Sequence, residues 1–73
     1  MENQIAEIFS ALFNTEIEPD SNISKDNNDE WTSIKHIEII VTLEEELGIK
    51  FKAEDIPKMT SMQKIIEYVK GLK

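Results

Sequence analysis

The chain reads as all-α: a small bundle of three main helices with a short helix or turn ahead of the last. Three features predict this class. Apolar residues recur at three- and four-residue spacings in three separate stretches. Only 2 Gly and 2 Pro interrupt 73 residues, and 40% apolar with 32% charged residues suits a folded, helix-rich chain better than a disordered one. The length lies below the roughly 100 to 200 residues of a typical domain, so one domain over residues 1–73 is expected. A chain this short buries only about 60% of its unfolded surface. That leaves little room for an enclosed catalytic cavity beside a core, so function belongs on the surface and the chain is not expected to be an enzyme.

Ile5, Ile8, Phe9, Leu12 and Phe13 form one apolar stripe on a first helix from about residue 2 to 13, with Glu2 or Asn3 serving its amino end. From Asn14 to Glu30 the pattern dissolves into Pro19-Asp20-Ser21-Asn22 and Lys25-Asp26-Asn27-Asn28-Asp29-Glu30, side chains that favour turns. A connection this long tends to be functional or disordered, and Ile17 and Ile23 are expected to pin it to the core. Helical spacing resumes through Ile34, Ile37, Ile40, Leu43 and Leu47, with Thr32 or Ser33 as N-cap and Gly48 as the stop. Ile49, Phe51 and Ile56 then anchor a connector in which Pro57 permits at most a short turn around Glu54 to Lys58. Thr60 followed by Gln63 reads as a capping box ahead of a last helix carrying Met62, Ile65, Ile66, Val69 and Leu72, with Lys70 and Lys73 near its negative end.

The net charge is −7, and residues 1–30 hold the whole excess: eight acids against Lys25 alone, while residues 31–73 balance seven acids with seven lysines. Such a chain repels a phosphate backbone and offers no basic, aromatic-studded strip, so nucleic acid is not an expected partner. The absence of Cys excludes a disulfide framework, a thiolate nucleophile and cysteine-ligated zinc. No run approaches the roughly 18 apolar residues of a membrane span, and Met1-Glu2-Asn3-Gln4 lacks a basic signal-peptide start. A cytoplasmic monomer is the expectation.

Trp31-Thr32-Ser33-Ile34-Lys35-His36-Ile37-Glu38 turns an acidic loop into a helix with a hydroxyl at the junction. At about 100° per residue, His36, Ile40, Leu43 and Leu47 share one line, and Ile34, Glu38, Val41 and Glu45 share another roughly half a turn away. If the first line packs inward, the second is an apolar and acidic strip beginning beside Ser33, suited to docking on basic protein surfaces. Glu44 would flank that face.

These residues resemble the acyl carrier protein family, in which an Asp-Ser-Leu motif opens the second helix and its serine carries 4′-phosphopantetheine. Here the triplet is Thr32-Ser33-Ile34. The resemblance continues through Glu38, Leu43-Glu44-Glu45-Glu46-Leu47-Gly48, Met59-Thr60-Ser61-Met62-Gln63 and Ile66-Glu67-Tyr68-Val69, and extends in outline to the first helix and the Pro19 loop. It implies an acyl-carrier-like bundle with Ser33 as the attachment point for phosphopantetheine, delivered from coenzyme A by a phosphopantetheinyl transferase. It further implies acyl-loading and acyl-processing enzymes as partners, and an acyl or aminoacyl cargo lodged between helices, with Leu43, Phe51, Ile56, Met59 and Ile65 as lining. Those five are equally ordinary core residues. Thr32 and Lys35 depart from the family pattern, which points to an alternative: a carrier-fold interaction module that is not modified.

Other signals are weaker. Ser33 and His36 are three apart on a helix, but no orienter or oxyanion hole accompanies them, so His36 is expected to pack or rim a pocket. Trp31 just ahead of the helix is expected to cover the core. Asp20, Asn22 and Ser24 start like a calcium loop, yet Lys25 stands where glycine is needed and Trp31 where a bidentate glutamate is needed. Glu44, Glu45 and Glu46 point in three directions and read as a solvated surface.

Overall fold

The computed structural model describes residues 2–72. Helix α1 runs Glu2–Phe13, α2 Ser33–Leu47 and α3 Met62–Gly71, with a 3-10 turn at Ile56–Lys58. Among the described residues there is no strand; one isolated antiparallel bridge pairs Ser24 with Ser61. Helix α1 packs on both α2 and α3. The molecule is therefore all-α, as the periodicity predicts.

Each helix follows from its buried stripe. Helix α1 buries Ile5, Ala6, Ile8, Phe9 and Phe13. Helix α2 buries His36, Ile39, Ile40 and Leu43, and α3 buries Met62, Ile65, Ile66 and Val69. The apolar side chains among these form one continuous core with Ile17, Ile23, Trp31, Phe51 and Met59. Trp31 is 2% exposed and sets its edge against Phe9 at 5.5 Å, while Phe9 and Phe13 stack at 5.8 Å. Aromatic pairs of this kind contribute about 0.5–1.5 kcal/mol each beyond burial, so Trp31 fastens the entry of α2 to α1.

Three expectations need correction. Ile37, in the spacing of α2, is 56% exposed and Leu72 is 47% exposed, whereas Ile34, 83% exposed, lies on the outward strip as expected. The stripe of α2 instead follows His36, Ile39, Ile40 and Leu43, because a single face of a 15-residue helix meets the core. The cap of α3 is Ser61, not Thr60: its backbone is extended (φ −150°, ψ 157°) and its Oγ accepts from Lys64 N–H. Gln63 does not reach back to the cap. Its Nε2 crosses to donate to the carbonyls of Pro19 and Ser21, each at 2.9 Å.

The long loop is tied down. Ser10 Oγ accepts from Ile17 N–H at 2.8 Å, and Ile17 and Ile23 are buried as expected. Lys25 N–H donates to Thr60 C=O at 2.8 Å, and Met62 N–H donates to Ile23 C=O at 3.1 Å. At the far end of the fold, Glu2 lies in the first turn of α1 as expected, and its carboxylate pairs with Lys70. The Lys70 ammonium, hydrogen-bonded to it, holds that carboxyl below its ordinary value. Lys73 lies outside the described residues.

Candidate functional site at the entry of α2

The turn into α2 is built by Asn28. Its Oδ1 accepts from Glu30 N–H at 2.8 Å, and its carbonyl accepts from Trp31 N–H at 3.1 Å. Thr32 then adopts an extended backbone (φ −83°, ψ 177°), and its Oγ1 accepts from Lys35 N–H at 3.2 Å, so Thr32 is the N-cap. The first intrahelical bond runs from His36 N–H to Thr32 C=O at 2.8 Å. Ser33 is consequently the first residue of α2 and is exposed. Residues Ser33 and Ile34 precede that bond, so their N–H groups have no intrahelical acceptor and favour negative charge at this end. At the other end Gly48 takes the left-handed conformation (φ 65°) and its N–H bonds Glu44 C=O.

Below Ser33, the imidazole of His36 is held from both sides. Trp31 Nε1–H donates to His36 Nδ1 at 3.0 Å, and an indole is donor only. Nδ1 is therefore the acceptor, which places the ring proton on Nε2, donated to Ile56 C=O at 2.8 Å. Both nitrogens are committed, and neither serves Ser33 as a base. This chain of two hydrogen bonds, one buried and one partly buried, joins the loop, α2 and the 3-10 turn.

Ser33, His36 and Ile37 face Ile56 and Pro57 across an open cleft of about 290 Å³ that Lys25 completes. Lys25 was absent from the sequence-based site; the signal available for it is its position as the lone cation of the first thirty residues. Lys35, by contrast, is drawn away from Ser33. Its Nζ donates to Leu12 C=O at 2.9 Å, pairs with Glu38 at 3.1 Å and lies 5.7 Å from the Phe13 ring centroid. It thereby caps the negative end of α1.

The predicted strip of α2 faces solvent. Ile34, Val41, Glu38 and Glu45 are all exposed, and Ile37 joins them. Glu44 does not flank this face freely, because its Oε2 accepts from Phe51 N–H at 2.9 Å. Of the residues named as possible lining for a cargo, Leu43, Phe51, Met59 and Ile65 are core residues and Ile56 packs against them. Phe51 also stacks on Tyr68 at 5.1 Å. Compared with known proteins, the chain matches no protein-family model and no curated sequence.

Proposed function

We propose that this chain is an acyl carrier protein, modified on Ser33 by 4′-phosphopantetheine and recognised by its partners through α2. The exposed Ser33 hydroxyl, at the first turn of α2 and at the mouth of an open cleft, carries this reading. The residues present fit such a group: a phosphate on Oγ would lie beside the N–H groups of the first turn, and Lys25 supplies a cation across the cleft. In the transfer, Ser33 Oγ forms a bond to the phosphorus bearing the pantetheine arm of coenzyme A. The pyrophosphate P–O bond breaks, adenosine 3′,5′-bisphosphate leaves with the bonding pair, and the hydroxyl proton passes to a base on the transferase. When bound, the arm would supply a terminal thiol, a group this cysteine-free chain lacks, to which a partner enzyme could attach an acyl group as a thioester.

Ile34, Ile37 and Val41, rimmed by Glu38 and Glu45, give α2 an apolar centre with acidic edges, a surface complementary to partner enzymes that present basic docking sites. Leu43, Phe51, Ile56, Met59 and Ile65 are proposed to part for an acyl or aminoacyl cargo. Among the described residues no helix is long and apolar enough to cross a membrane.

Intact-mass measurement after incubation with coenzyme A and a broad-specificity phosphopantetheinyl transferase tests the proposal. A gain corresponding to one phosphopantetheine, lost in Ser33→Ala, is expected. A folded chain with no gain would instead leave an unmodified helical interaction module.

A further inference from the structure

Resting on the carrier reading, we propose that Lys25 is the positioning residue for the phosphodiester on Ser33, holding the arm over the cleft by charge. A phosphodiester placed on Ser33 adds negative charge to a chain whose first thirty residues already carry eight acids and one lysine. That one lysine is the cation brought to the cleft. Its backbone is fixed by the N–H bond to Thr60 C=O, and the neighbouring Ser24 pairs with Ser61, so the side chain starts from a rigid point opposite the 3-10 turn. Among the described residues Lys25 enters none of the ion pairs, which are Lys35–Glu38, Lys58–Asp55 and Lys70–Glu2.

The competing cation is Lys35, two residues from Ser33. Its ammonium is already bound to Leu12 C=O and Glu38, beside Phe13 and away from the cleft lining. Ile37, Ile56 and Pro57 form the apolar side of the same cleft. Lys25 therefore provides the electrostatic anchor and these three provide contact for the uncharged part of the arm. Because the pair is solvent-exposed, its strength belongs to the range of surface ion pairs and weakens with salt.

The test compares unmodified and phosphopantetheine-bearing forms of the wild type, Lys25→Gln and Lys25→Arg by thermal unfolding. Unmodified forms are expected to melt together, because the Lys25 side chain is exposed. Modification is expected to shift the wild type and Lys25→Arg upward by about 1 to 6 °C relative to its effect on Lys25→Gln. About 0.5 M salt should remove that difference. Equal shifts in all three modified proteins, or a difference that survives salt, overturn the role of Lys25 while leaving Ser33 modification intact. No mass gain on any form overturns the carrier reading and this role together.

Discussion

Replacing His36 by leucine removes the acceptor for a buried indole N–H. Trp31 is 2% exposed and its Nε1–H has His36 Nδ1 as its partner at 3.0 Å. Stranding that donor costs about 1–3 kcal/mol. The other end of the chain is less exposed to loss, since Ile56 C=O still accepts from Met59 N–H at 3.1 Å. Trp31→Phe makes the converse change, leaving Nδ1 without a donor at a similar cost and giving up about 1 kcal/mol of contact with Phe9 and Phe13. In the double variant neither polar atom is stranded. Its destabilisation should fall short of the sum of the two single changes by about 2 kcal/mol or more, since both stranding costs disappear. A domain of this length has a total stability of about 4 to 11 kcal/mol, against at most about 4 kcal/mol for either single change. Urea unfolding followed by far-UV circular dichroism measures all four corners of the cycle, free of any dependence on Trp31 fluorescence. Additivity within about 0.5 kcal/mol would refute the coupling, and with it the claim that this hydrogen bond joins the loop to α2.

Two further outcomes follow from the helix ends. Thr32→Asp keeps an oxygen cap and adds negative charge at the amino end of α2, which should raise the melting temperature by about 1 to 8 °C; calorimetry checks it, and a fall in melting temperature would contradict the cap assignment. The Glu2 carboxyl is lowered in the folded chain by its hydrogen bond to Lys70 and that ammonium's charge. Its contribution is therefore present above the unfolded glutamate value and disappears as pH falls through the lower folded value. Glu2→Gln should be less stable than the wild type at neutral pH and equal to it in acid, as read by denaturant unfolding across that range. A gap that widens in acid would reverse the sign of the linkage.

Helix boundaries were legible because they rest on local chemistry. Thr32, Gly48 and Pro57 act through their own backbone preferences, and the structure places each at the end or turn the sequence assigns to it. The cap of α3 was harder. Thr60, Ser61 and Gln63 can be arranged in more than one capping scheme, and what selects Ser61 is the docking of Thr60 C=O on Lys25 and of Gln63 on Pro19, contacts invisible along the chain. In α2, isoleucines occupy both faces, so spacing alone did not tell Ile39 from Ile37; the side facing α1 decides. Ser33 was readable from its place at a loop-to-helix junction. Lys25 and the commitment of Lys35 to Leu12 were not, since both depend on segments meeting across the fold.

The two bonds from Gln63 to the loop span 44 and 42 residues of chain. Closing so large an arc carries an entropic cost that grows only slowly with its length, so a few hydrogen bonds and buried side chains suffice to offset it. Together with the bonds from Lys25 N–H to Thr60 C=O and from Met62 N–H to Ile23 C=O, the two from Gln63 hold the loop against the start of α3 at two places. Slow amide deuteration at Lys25 N–H and Met62 N–H alongside the helices would be the signature of this fastening: a long connection stitched down rather than left to wander.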